Sequence, residues 1–375
     1  MNDRKGGMAE RERALFACIH QNGPATKSRL ADTLSLPLST LNRSMRALEE
    51  RGLIRACGCS DSSGGRKPAE YDVAPGAAYV LGVDLSRTYT QAVLADLKNH
   101  VAARSRFAMD AAVTPQVCTG KIADALERMC REAGVPMKRV LGIGVGAVGP
   151  MNRESGVLLH PKGFENPAWG QRVPLGALLE EKTGLPCAVE NGANAAALLE
   201  YWFGAGRGRR CVAYLHCGVG IRSAVVQNGA VLRTLNDGED AFARMAVEPG
   251  GGRLEDFVSL ESVCSRYRKQ TGEEISYGTF FFRASRGDTA AVRELALSAE
   301  ILGMGIGNLA RLLGPELVLL SGPLVSSYEP YFAQCAAACR RWDGEGGPVL
   351  RRVENMQESV VALGAALTFL RERFL

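Results

Sequence analysis

The stretch with most chemical potential is Gly184 to Gly204, GLPCAVENGANAAALLEYWFG. A run with little charge ends at Glu190 and Asn191, a small-residue turn follows, and a helical pattern with Ala196, Leu199 and Trp202 begins at once. Polar side chains there sit at a strand's carboxyl end, where open α/β sheets place ligands. Asn191 is suited to orienting a hydroxyl, whereas Gly192 beside it has no group to accept a proton.

Other reactive side chains are scattered. His160 and Trp169 share the loop LLHPKGFENPAWG, and His216 falls in a strand-like run where it reads as a satisfied core histidine. Cys57-Gly58-Cys59 is the one tight pair among 11 cysteines, and it has no second pair or neighbouring histidine to complete a metal site. The GxGxxG-like strings around Gly142 and Gly303 lie in a strand and in a helical pattern, where glycine serves close packing.

The elements that carry these residues follow from composition and pattern. A length of 375 residues with 46% hydrophobic content suggests two or three domains with ample cores. No uninterrupted apolar run approaches the roughly 20 residues that span a bilayer, and MNDRKGGMAERER has no signal-peptide core. A cytoplasmic protein is expected, with most cysteines as buried free thiols. Residues 1–70 contain 12 Lys/Arg and 8 Asp/Glu, so most of the net charge of +5 sits there. A basic module on a near-neutral body points to a polyanion partner.

That module reads as three helices. Arg11 to Gln21 carries Leu15, Cys18 and Ile19 on one stripe, and Asn22-Gly23-Pro24 ends it. Thr26 is placed to cap a second helix with Leu30, Ala31 and Leu34, and Ser39 a third with Leu41, Met45 and Leu48. The third helix turns Thr40, Asn42, Arg43 and Arg46 outward, side chains suited to base edges. Leu53 to Cys57 and Glu70 to Val73 then read as two strands around a mobile Ser60 to Pro68 loop, a wing whose Arg66 and Lys67 suit phosphates or a minor groove.

From Tyr79 two strand-rich starts, each followed by helices, indicate a duplicated α/β body. Here the order of helix-turn-helix, GGRKP, VLGVDL, VLGIGVGAVGP, GLPCAVENGANAAALLEYWFG and ILGMGIGNLARLLGPELVLLSGPLV resembles the ROK family of repressors and sugar kinases over nearly the whole chain. The resemblance implies a winged helix-turn-helix plus a two-lobed, actin-like ATPase body of the duplicated ribonuclease H-like kind. The expected division is residues 1–75 for the DNA-binding domain, 76–190 for lobe 1, and 191–375 for lobe 2, with the C-terminal helix packing back on lobe 1.

The kinase positions of the family are altered. Its Asp-x-Gly-Gly-Thr loop stands here as Asp84-Leu85-Ser86-Arg87-Thr88, and its second phosphate loop as Gly218-Val219-Gly220-Ile221-Arg222. The Asn-Asp pair that supplies a base is Asn191-Gly192. Alignment through Met245 and Pro249 puts Ala241 at the sugar-binding glutamate and Arg244 at the zinc histidine, with Asp240 one residue from the lost glutamate. No cysteine occurs between Cys217 and Cys264, so neither zinc nor another cofactor is expected. Glu255 matches a retained sugar contact.

The combined reading is a pseudokinase regulator, most simply a homodimer or homotetramer on double-stranded DNA. Ser39, Thr40, Asn42, Arg43, Arg46, Arg66 and Lys67 are its DNA-contacting set, and Asn191, Gly192, Arg244 and Glu255 its effector set. A residual carbohydrate kinase or ATPase, and a ligand-independent oligomeric DNA binder, are the alternatives.

Overall fold

The computed structural model describes residues 8–59, 68–161, 163–233, 240–343, 346–353 and 359–374. The chain forms two compact units, one of residues 1–148, 152–195 and 361–375, the other of residues 149–151 and 196–360.

The first unit opens with α1 (Glu10–Asn22), β1 (Ala25–Thr26), α2 (Lys27–Leu34) and α3 (Leu38–Glu50), followed by β2 (Ile54–Cys59) and β3 (Ala69–Val73). Thr26 caps α2 through Arg29 N at 3.3 Å, as its sequence position predicts. Ser39 does not cap α3. The helix begins at Leu38, so the cap position is Pro37, two residues before Ser39, and no side chain caps it. Leu15, Phe16, Ile19, Leu30, Leu41, Met45 and Leu48 are fully buried where the three helices meet. The strands form a sheet in the order β1-β3-β2, with a bulge between Ala56 and Gly58.

This module shares its core with the rest of its unit. The cluster around Leu15 and Leu48 runs on into Val80, Leu97, Phe369 and Leu370. Phe16 meets Phe374 edge-on with ring centroids 5.8 Å apart, and Lys98 pairs with Asp72.

The unit's large sheet comprises β4 (Tyr79–Leu85), β5 (Tyr89–Asp96), β6 (Val101–Ala108) and β7 (Val140–Ala147), with α4 (Pro115–Glu132) preceding β7. A small sheet of β8 (Met151–Asn152), β9 (Val157–Leu159) and β10 (Arg172–Val173) comes next, then α5 (Leu175–Thr183), β11 (Cys187–Asn191) and α6 (Gly192–Phe203). The large sheet runs β11-β7-β4-β5-β6, parallel at β11-β7 and β7-β4 and antiparallel beyond.

The C-terminal helix, Val360–Arg373, lies on this sheet because glycines let it approach. Gly82 pairs with Gly144 across β4 and β7. A Cβ on either would stand 2.0 or 1.9 Å from the carbonyl oxygens of Ala362 and Ala365, and one on Gly142 would meet the Phe369 ring. The VLGIGVG glycines thus cradle a helix backbone.

The second unit repeats the strand pattern with β12 (Cys211–Cys217), β13 (Ile221–Gln227), β14 (Ala230–Val231), β15 (Leu317–Ser321) and β16 (Val349–Arg352), in the order β14-β13-β12-β15-β16. Again an antiparallel hairpin is followed by two parallel strands. Its helices are α7 (Glu255–Val258), α8 (Leu260–Thr271), α9 (Tyr277–Ser285), α10 (Thr289–Leu313), α11 (Pro323–Ser326) and α12 (Glu329–Asp343). Asp288 caps α10, which is long and apolar enough to cross a bilayer by composition alone, yet half of its most apolar window is buried inside the unit. Gly303 is why α10 and α12 pack closely, since a Cβ there would lie 2.4 Å from that of Ala338.

Candidate nucleic-acid interface and effector site

On α3 the buried stripe of Leu41, Met45 and Leu48 fixes which residues face outward. Ser39, Asn42, Arg43 and Arg46 are exposed and Thr40 is half-buried, so the structure brings these five together on one helix. Arg66 and Lys67 lie outside the described residues.

His20 on α1 marks the seam with the body. Its ring is buried against the Leu97 backbone, with Asp72, Lys98 and Arg371 as the nearby charged groups, and desolvation lowers its pKa to about 4.

The turn after β11 is built around buried polar side chains. Glu190 Oε1 accepts from Asn191 N at 2.8 Å and from Asn194 Nδ2 at 3.0 Å. Asn191 is 0% exposed, and its Oδ1 accepts from Ala193 N at 2.9 Å. This bond starts α6. The flanking residue Gly192 is also buried, and Gly192 Cα lies 3.4 Å from where a Cβ on Gly146 would stand.

The side chains of the first phosphate-loop counterpart make contacts of their own. Asp84 is buried and accepts from Tyr89 Oη at 3.2 Å, while Arg106 lies over the Tyr89 ring at 4.1 Å. Arg87 runs against Gly163, where an added Cβ would stand 2.9 Å from its Cδ. Thr88 is exposed. In the loop that follows, Phe164 stacks on buried Trp169 at 4.7 Å, Trp169 Nε1 donates to Val113 O at 2.8 Å, and His160 Nδ1 lies 2.9 Å from Gly170 O. Trp169 and His160 thus have structural roles.

In the second unit, Gly218 N donates to Gly220 O at 3.2 Å, closing the other loop on itself. Arg222 stands opposite His216 across β12 and β13, and His216 Nδ1 lies 3.1 Å from Ser321 Oγ. Burial, with Arg222 adding to it, lowers the His216 pKa to about 4. Arg244 pairs with Asp240 at 2.6 Å, and Glu255 N donates to Ala243 O at 2.9 Å, which places Asp240, Arg244 and half-buried Glu255 in one neighbourhood.

The donor set does not fit the family's zinc. Where a thiolate loop would stand, Ala246 bridges Arg253 and Val247 N donates to Gly252 O at 3.0 Å. No group of three or more His, Cys, Asp or Glu suited to a metal occurs among the described residues. Leu254 N, donating to Met245 O at 2.8 Å, closes the segment with backbone bonds instead.

The ROK family profile matches residues 80–369, and a winged helix-turn-helix DNA-binding profile matches residues 8–55. The chain belongs to the ROK family. It is 26% identical over 332 residues to a xylose repressor of Caldicellulosiruptor bescii, covering 82% of this chain and 81% of that one. Among solved structures, a ROK family transcriptional regulator described as a homolog of the E. coli MLC protein superposes with a TM-score of 0.76 at 19% identity, covering 97% of this chain and 96% of that one. A ROK hexokinase from Thermus thermophilus superposes with a TM-score of 0.67 at 30% identity, covering 77% of this chain and 97% of that one. The fold is a winged helix-turn-helix joined to an actin-like ATPase-type body, as the motif order implies.

Proposed function

We propose that this ROK protein is a DNA-binding transcriptional repressor of carbohydrate-related genes, acting in the compartment that holds the DNA. In this reading residues 1–75 read the operator, and residues 76–375 form two lobes that oligomerise and sense an effector. The observation that carries it is the exposed Ser39, Asn42, Arg43 and Arg46 on a helix whose other face is fully buried in a winged helix-turn-helix. A dimer or tetramer suits paired half-sites, because a protein two-fold matches operator symmetry.

The body is read as a pseudokinase. Gly192 offers no base, Ser86 and Arg87 stand where the first phosphate loop needs glycines, and Asp84 is bonded to Tyr89. Arg222 favours an anionic, sugar-like effector over a neutral hexose. Arg244, in its ion pair with Asp240, favours the same class of effector. In a thermal-shift screen of sugars, sugar phosphates and sugar acids, the acids should stabilise the protein most. Stabilisation by neutral hexoses alone refutes the anionic preference.

The DNA reading is tested by selecting duplexes from a random pool with the full chain. Arg43→Ala should then weaken the selected duplex by about 1–3 kcal/mol, with little effect on mixed sequence. Failure of the wild type to select any sequence removes the repressor reading.

The rival, a residual carbohydrate kinase or ATPase, draws on retained Asp84 and the 30% identity to the hexokinase. Sustained ADP release that is abolished by Asp84→Ala would establish it. A ligand-independent DNA binder would instead show operator affinity that no small molecule changes.

A further inference from the structure

A groove of about 730 Å³ opens between the first turn of α1 and one side of α3, lined by Arg11 and by Ser39, Thr40, Arg43, Arg46 and Glu50. The α3 wall follows positions 39, 43, 46 and 50, whose spacing of three and four residues puts them on one face. Arg11 comes from a different helix and stands beside that stripe.

The charge of the groove favours a polyanion. Three guanidinium groups line it against two carboxylates, Glu12 and Glu50. Glu12 is already engaged, since its Oε2 accepts from Ala9 N at 3.1 Å and lies 3.6 Å from Arg51 Nη1. Glu50 stands 11 residues along α3 from Ser39, roughly 16 Å along the axis, at the far end of the stripe.

A helix lying in a B-form major groove, about 12 Å wide, has a phosphate strand along each flank. Side chains on the helix reach bases, whereas cations beside it meet the backbone. We infer that the α1 edge of this groove lies along one sugar-phosphate strand of the bound duplex, with Arg11 as its phosphate ligand, while Arg43 and Arg46 on the α3 wall face the bases. The inference rests on the DNA-binding reading above and adds a contact from outside the helix-turn-helix pair. The planar guanidinium fork suits two phosphate oxygens, and such a contact carries no sequence information.

The test is fluorescence anisotropy with the full chain across a salt series. Its probes are a duplex selected from a random pool and a mixed-sequence duplex of equal length. Arg11→Ala should weaken both by a similar factor, roughly tenfold near 0.1 M salt, and should reduce the slope of log affinity on log salt by about one. Arg11→Lys, which keeps the charge, should keep the slope. Arg11 is exposed, and an unchanged melting temperature confirms that each variant folds. If Arg11→Ala leaves both affinities and the slope unchanged while Arg43→Ala loses selectivity, the groove assignment is overturned and the DNA-binding reading stands. If Arg11→Ala weakens the selected duplex alone, Arg11 reads a base and the phosphate assignment is equally overturned. A wild type that binds neither duplex removes both readings.

Discussion

At the scale of single residues, Asn191 ties the end of β11 to the helix that follows. Its Oδ1 starts α6 by accepting from Ala193 N, and the residue is fully buried. Gly192→Asp would place a carboxylate beside it, but the first phosphate loop would still lack its glycines at Ser86 and Arg87, and Ala241 would still stand at the sugar carboxylate. Coupled ADP-release assays on Gly192→Asp with a sugar panel should therefore stay at background; turnover would show that the other losses matter less. His20 gives a pH signature. Its pKa falls from 6.5 to about 4 on folding, so the unfolded chain binds more protons between those values. The stability from burying neutral His20 is complete above pH 6.5 and is lost as pH falls toward 4, by roughly 3 kcal/mol at the limit. Urea unfolding at pH 5 and pH 8 should show this loss in the wild type and a smaller one in His20→Gln. A residual slope is expected, because His216 shifts in the same direction.

At the scale of elements, the C-terminal helix and the glycine face of the first sheet are matched surfaces. Gly144→Ala would put a methyl 1.9 Å from Ala365 O, a backbone atom that cannot turn away. It should destabilise the protein by about 3 kcal/mol, read as a lower urea midpoint, whereas Gly120→Ala inside α4, where an added Cβ meets nothing within 4 Å, should stabilise it by up to about 1 kcal/mol. The 246–254 segment is held by backbone bonds where the family uses metal. A strong chelator should leave the melting temperature unchanged, and a fall would reveal a metal that these donors do not account for. Close packing was legible at Gly303, a glycine in a helical pattern, whereas Gly142, Gly144 and Gly146 read only as glycines within a strand and their helix partner comes from the far end of the chain. Arg87 against Gly163 had no such signal, since the two lie far apart in the chain.

At the scale of the whole molecule, local pattern was enough to define the winged module's helices and the main strands, but not the small β8-β10 sheet or helices α7 to α9. Apolar periodicity in residues 11–48 specified three helices, and the repeated strand-rich starts specified two similar sheets, both present in the structure. The order of motifs also identified the ROK family, and the missing cysteines, the absent Asp after Asn191 and the basic first 70 residues were plain in the sequence. Each depends on residue type and near neighbours alone. Tertiary structure decided what depends on distant partners. It set the shared core of the winged module and its unit, through Phe16 with Phe374 and His20 beside Leu97. It made Asn191 a helix cap, and it set Arg11 across a groove from Arg43. Packing brings together residues hundreds of positions apart, and only then are burial, pKa and charge convergence defined.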